Sequence, residues 1–427
     1  MKIRARVLLS VLVMLATMFL ANCSPYSCNV TFGASTCTPS GSGLGGGGGT
    51  GGGGGGGGST PTALAYDIVQ TGTVNGIAFS STSSTLANIS GFTAPVPSSD
   101  PSSELVIAQK QYLYGIFPES QSLYAWTIDA STGDLRAVTN SPFTIAALGG
   151  MVFNGTNVNF SGVAVNPAGT FLFIADAGNG EILTYQIGTG GTLTAGPTVS
   201  TVGAVQPWNL AIDGLGKYLY VTEGIEGNGG HVAAYSIYQG TGALTLVEAP
   251  FAYNIWELRG EPTGAYMIGI SGNSVGVTGV ADKSIHVFSI QPSGATAGAL
   301  SEVSGSPFTT VYSPANIAVQ PNTSNGSYVY SFSINDTFTG YNSIEGYALD
   351  TTSGRLTAIT VSPFRGVTAS PWGQFDQSGD YLFVYSNISS SPQLGVLNVT
   401  SGTGVLTESA STLPLTTGGY FAVTDPQ

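Results

Sequence analysis

Val232-Ala233-Ala234-Tyr235-Ser236-Ile237, closely followed by the turn Thr241-Gly242-Ala243-Leu244, is the phrase from which the fold can be read. Its first part alternates around a central aromatic residue, the two-residue period of a β-strand and not the 3.6-residue period of a helix. Its second part is turn chemistry, with glycine where the chain must reverse. The phrase recurs as Leu123 to Ile128 with Thr132-Gly133-Asp134-Leu135, and as Ile182 to Ile187 with Gly191-Thr192-Leu193. It returns at Ile285 to Ile290 with Gly298-Ala299-Leu300, Ile344 to Leu349 with Gly354-Arg355-Leu356, and Leu394 to Val399 with Gly404-Val405-Leu406. Gly242, Gly298 and Gly354 fall at one even interval, close to the ~50 residues of a four-stranded propeller repeat and longer than a helical repeat.

Upstream of each copy lie an apolar strand, a glycine turn and an aromatic strand, as in Val163-Ala164-Val165 followed by Phe171-Leu172-Phe173-Ile174. Each unit therefore reads as one four-stranded blade. The endings Ser141-Pro142-Phe143, Pro250-Phe251, Ser306-Pro307-Phe308 and Ser362-Pro363-Phe364 predict that each outer edge strand stops at a proline, where no ladder donor is needed. A seventh copy is split. Ala63 to Ile68, Val74 to Phe79 and Thr85 to Asn88 match the second, third and fourth strands of a blade, and Gly419 to Val423 matches a first strand alone. The sequence thus predicts an all-β, seven-bladed β-propeller over residues 62–427, closed by its N-terminal strands pairing with the C-terminal one. Such closure removes the exposed edges of an open array.

The first 22 residues carry Lys2, Arg4 and Arg6 ahead of an apolar run from Val7 to Phe19, the order of a secretory signal. That run is shorter than the ~20 residues of a spanning helix. Leu20-Ala21-Asn22-Cys23 resembles the lipobox of bacterial lipoproteins, in which the cysteine becomes the lipidated first residue; Asn22 stands where Gly or Ala is usual. The expectation is export to the bacterial cell envelope, with lipid at Cys23 as the sole membrane contact. Residues 23–61 form a tether. Cys28 and Cys37 are placed to close a small disulfide loop in an oxidising compartment, and Gly41 to Gly58 is almost pure glycine, a flexible coil.

Composition narrows the partners. With 10 Lys+Arg against 23 Asp+Glu, a net charge of -13 and only 8% charged residues, the surface repels phosphate backbones, which excludes nucleic acid. A monomer is expected.

The phrases Val163-Ala164-Val165-Asn166-Pro167-Ala168-Gly169-Thr170-Phe171-Leu172-Phe173 and Leu210 to Val221 resemble the lactonase family of seven-bladed propellers, which includes 6-phosphogluconolactonase-like proteins. The resemblance covers the whole body from Thr62 to Gln427. It implies lactone-ring hydrolysis, with His, Arg and Glu at the mouth of the central channel. The family's Pro-Arg-His phrase aligns with Pro207-Trp208-Asn209 and Pro371-Trp372-Gly373, which keep neither Arg nor His. Glu223 stands where the family often carries a glutamate, and is the candidate catalytic residue.

In a propeller the loops from second to third strand and from blade to blade open on one rim. That rim gathers Asp176, Trp208, Asn209, Trp256, Glu257, Asn316 and Trp372 as candidate ligand-binding residues, with Asn179, Glu226, Asn273, Asn335, Asp336 and Tyr420 beside them. Aromatic planes next to amides and carboxylates suit a glycan or other small polar ligand, though tryptophans also pack between blades. The residues Asn166, Asp213, Glu261 and Asp376 of the opposite rim read as hairpin formers. His231 and His286, each near the start of a third strand, lie in no nucleophile elbow or metal motif. Ca²⁺ held by Glu223, Asp176 and Asn209 would need these oxygens to converge; otherwise no cofactor is called for. Arg136, Arg259, Arg355 and Arg365 are scattered, which argues against phosphorylated substrates. Loss of the family's His and Arg favours a lipid-anchored binding or scaffold module for a small polar molecule, glycan or envelope protein, with lactone hydrolysis as the alternative.

Overall fold

A computed structural model describes residues 61–425, apart from 70–71, 98–103, 119, 146–147, 149–150, 154–155, 159–161, 203–205, 226–227, 253–254, 272–282, 323–325, 334–342, 365–371, 387–391, 411 and 416–420. Cys23, Cys28, Cys37, the signal and most of the tether lie outside the described residues, as do Glu226, Asn273, Asn335, Asp336 and Tyr420. No helix of the described residues is long and apolar enough to cross a membrane.

Residues 61–427 form a seven-bladed β-propeller. Blade 1 begins at Glu104–Ala108, blade 2 at Val163–Val165, blade 3 at Gln206–Ile212, blade 4 at Glu257–Gly260, blade 5 at Pro314–Val319 and blade 6 at Trp372–Phe375. Blade 7 takes its first strand, Phe421–Thr424, from the C-terminal end of the chain and its other three, Ala63–Val69, Thr73–Ser80 and Thr85–Asn88, from the N-terminal end. The register is antiparallel, Leu64 opposite Thr424 through to Asp67 opposite Phe421, so the predicted closure is present. Each first strand contacts the first strands of both neighbouring blades, completing an inner ring.

The apolar pattern follows from position. Second strands such as Tyr112–Phe117, Phe171–Asp176 and Tyr328–Ser333 are buried at every residue, because a neighbouring blade covers each face. Fourth strands such as Leu135–Ala137 and Leu406–Glu408 bury only their first residue. One apolar cluster fills each of the seven junctions between blades.

Tyrosine joins the blades at their turns. Tyr66, Tyr114, Tyr220 and Tyr330 each donate a hydroxyl hydrogen bond to the carbonyl of the repeat glycine in the next blade, Gly133, Gly191, Gly298 and Gly404. The rings of Tyr112, Tyr218 and Tyr328, two residues earlier, lie where a Cβ on Gly191, Gly298 or Gly404 would be. The Tyr-x-Tyr second strand and the Thr-Gly-x-Leu turn are thus two halves of one contact between blades.

One expectation is corrected. The Ser-Pro-Phe segment does not end the outer strand but interrupts it. In blade 1, Leu135–Ala137 pairs with the later half of the third strand, and Phe143–Thr144 resumes pairing with its earlier half. Blade 4 repeats this with Phe308–Thr309. Between the two pieces the third strand still has an N–H to satisfy, and proline brings no polar side chain. The serine hydroxyl takes it: Ala125 N donates to Ser141 Oγ at 2.9 Å, Val287 N to Ser306 Oγ at 3.0 Å and Gly346 N to Ser362 Oγ at 3.0 Å. A hairpin of Met151–Phe153 and Thr156–Val158 in the connection from blade 1 to blade 2 was not anticipated.

The turns of the opposite rim are held by their own acidic or amide side chain. Asp213 accepts the Leu215, Lys217 and Tyr218 amides, and Glu261 accepts those of Thr263, Ala265 and Tyr266. Asn166 does the same for Thr170 and Phe171.

Candidate functional site

First strands enter from the rim where second strands finish, so the starts of the former and ends of the latter meet around the channel mouth. Three of the predicted ligand residues also hold the inner ring together. Asn209 Oδ1 accepts the Leu258 amide of blade 4 at 3.0 Å, and Asn316 Oδ1 accepts the Gly373 amide of blade 6 at 3.2 Å. Asn316 Nδ2 donates to both Glu257 oxygens, at 3.0 and 3.2 Å. The Ile317 amide bonds Glu257 as well. These side chains reach from one blade to the next, so their polar groups are in part committed to the scaffold. Blade 2 presents Gly162 at the corresponding place, where a Cβ would come within 2.4 Å of the Trp208 carbonyl.

The charged centre of the mouth was not legible in the sequence. Arg259 Nη2 pairs with Glu257 Oε1 at 2.5 Å, and its side chain remains 34% exposed. Glu104, from blade 1 on the far side of the ring, is close enough for Arg259 and Glu257 to act on its charge. Burial pushes the Glu104 carboxyl up to about 8, against the lowering influence of Arg259 and the Val163 amide. Burial also raises Glu257, opposed by Arg259 and Asn316. Arg259 is therefore already engaged, paired with Glu257 and donating to the Leu258 carbonyl at 3.2 Å, and is not a free anion receptor.

Trp208 and Trp256 meet edge to face with ring centroids 4.9 Å apart, and Trp256 is 37% exposed. Trp208 sits at a register shift between Pro207 and Asn209, which turns it out of the regular alternation. Its indole N–H is buried without a hydrogen-bond partner. Trp372 packs partly into the junction between blades 6 and 7. Asp176 is buried and closes its own turn, accepting the Asn179 amide at 3.0 Å and side chain at 2.8 Å.

Glu223 differs from these carboxylates. It lies near the end of the second strand of blade 3, Tyr218–Ile225, stands opposite Pro207 on one side and His231 on the other, and is 1% exposed. Neither carboxyl oxygen has a hydrogen-bond partner. Desolvation alone drives its pKa up to about 8, because no amide or cation stabilises the charged form. A carboxyl group so placed can hold or release a proton near neutral pH, which is the property an acid–base catalyst requires. His286 is engaged, with Nδ1 2.8 Å from Glu302 Oε1 and Nε2 3.3 Å from Ser284. Among the described residues no three His, Cys, Asp or Glu side chains are grouped to hold a metal ion.

The fold defines a seven-bladed β-propeller, and the lactonase family, described as a 7-bladed β-propeller, matches residues 79–254, a stretch that includes Glu223. That is less than half of the chain. The comparison with curated proteins finds no match. Among solved structures, a candidate 6-phosphogluconolactonase from Bacteroides fragilis is similar at 16% identity and a TM-score of 0.62, over 86% of this chain and 98% of that one. Its counterpart from Bacteroides uniformis is 16% identical, with a TM-score of 0.61 over 84% of this chain and 97% of that one. The periplasmic gluconolactonase of Pseudomonas aeruginosa is 14% identical, with a TM-score of 0.57 over 86% of this chain and all of that one, 100%. At these identities the likeness is one of fold.

Proposed function

We propose that the protein is a lactone hydrolase acting at the rim near which Glu223 lies in its strand. The observation that carries this reading is the Glu223 carboxyl itself, buried, without a hydrogen-bond partner and raised to about 8, within the stretch that matches the lactonase family. The family correspondence favours hydrolysis over the binding or scaffold role to which the missing His and Arg pointed. Names of the structural relatives, a periplasmic gluconolactonase among them, lean the same way.

Opening a lactone needs a base for the attacking water and an acid for the departing ring oxygen. As a carboxylate, Glu223 takes a proton from water while the water oxygen bonds to the carbonyl carbon. The ring C–O bond then breaks, and the same proton passes to the ring oxygen, leaving a hydroxy acid. One water is consumed and no other reagent is needed. Trp256 offers a sugar ring an aromatic edge. Because Arg259 is occupied by Glu257, the substrates are unphosphorylated lactones. Export and lipid attachment at Cys23 would place this activity in the cell envelope.

Incubating the purified protein with a panel of sugar lactones and following acid release tests the reading. Turnover that disappears in Glu223→Gln supports it; equal turnover by that variant, or none by the wild type, overturns it.

A further inference from the structure

We propose that His231 is the positioning partner of Glu223 and exchanges a proton with it; this rests on the hydrolytic reading of the site. His231 stands directly opposite Glu223 in the ladder between the second and third strands of blade 3. Residues opposed in this way project from the same face with Cβ atoms ~4.5–5.5 Å apart. His231 Nδ1 is buried without a hydrogen-bond partner, as are both oxygens of Glu223. Leaving one buried polar group unpaired is costly, and two facing each other is a costly way to make a wall.

Among the described residues, the face they share is apolar apart from Tyr235. The same face continues through Val221, Ala233, Leu219 and Tyr235, and blade 2 covers it with Ala175 and Ile182. Tyr235 is the other titratable neighbour, and the Glu223 charge opposes its ionisation. Desolvation is the cause that raises Glu223, and of the unpaired polar groups on this face, the Tyr235 hydroxyl among them, the imidazole is the one whose ring nitrogen can accept its proton. When the proton moves from the Glu223 carboxyl to the His231 ring, a neutral pair becomes carboxylate and imidazolium. Proton count is unchanged, and the carboxylate that takes a proton from water is formed without a proton leaving the site. His231 acts through Glu223 and need not touch substrate.

The test is a carbon-13 NMR titration of the Glu223 carboxyl in the whole protein, alongside the pH dependence of lactone turnover. His231→Leu should raise the Glu223 midpoint by about one pH unit or more and lower kcat roughly tenfold at neutral pH, with KM little changed. His231→Asn, which keeps a polar group facing Glu223, should recover part of that shift. An unchanged Glu223 midpoint in a folded His231→Leu protein would overturn the pairing. Absence of turnover in the wild type would refute the hydrolase reading instead, while the titration still decides whether the two residues are coupled.

Discussion

The Tyr220 hydroxyl of blade 3 donates to the Gly298 carbonyl of blade 4 at 2.8 Å, while the Tyr218 ring lies against the Gly298 Cα. Tyr220→Phe leaves that buried carbonyl without its donor and should cost about 1–3 kcal/mol in denaturant unfolding. Gly298→Ala should cost more. Gly298 has a φ of +96°, and its new Cβ would stand 2.3 Å from the Tyr218 ring. A Gly298→Ala protein as stable as the wild type would contradict the account of the junction.

Ring closure depends on the last strand. Asp425 ties that strand to both neighbours, with Oδ2 3.1 Å from Lys110 Nζ of blade 1 and Oδ1 accepting the Gln377 amide of blade 6 at 3.1 Å. Removing residues 418–427 exposes the edge of Ala63–Val69 and opens the inner ring. The expected result is a melting temperature lower by roughly 10 °C or more in calorimetry.

Asn316 serves two blades at once. Asn316→Ala takes away the donor to both Glu257 oxygens and the acceptor of the Gly373 amide. A loss of about 2–4 kcal/mol is expected, read from urea midpoints.

Stability should fall as pH rises from mildly acidic to mildly alkaline. Burial pushes both Asp67 and Glu223 up to about 8. The folded chain therefore keeps protons that the unfolded chain releases from about pH 4 upward, so unfolding gains from every increase in pH until both groups ionise in the folded state near 8. Asp129, held down to about 2 by Ser131 and Thr132, works in the opposite sense, but below that window. Unfolding free energy should be larger at roughly pH 5 than at pH 8, by on the order of a few kcal/mol. Asp67→Asn should narrow the difference.

The architecture was legible because each blade repeats the same solution. Strand alternation, the glycine turns and the split seventh copy are local signals, and they locate Ala63–Val69 and Phe421–Thr424 as partners from opposite ends of the chain. The interruption at Ser141-Pro142 was misread, because nothing local shows that Phe143 returns to Leu123. At the mouth, residue types identified Trp208, Asn209, Glu257 and Asn316 as rim residues. They could not reveal that Asn209 and Asn316 spend their oxygens on neighbouring backbone amides. Glu104 and Arg259 belong to different blades, and only ring closure brings them together. His231 looked like an ordinary strand residue until the register placed it opposite Glu223.

The pH dependence of lactone turnover by the wild type and by Glu223→Gln tests the central claim most directly, followed from roughly pH 6 to 9 with the spontaneous rate subtracted. A wild-type rate that climbs as Glu223 ionises, and a variant that is slow and flat across the range, is the predicted result. A variant that matches the wild type in rate and profile would contradict it.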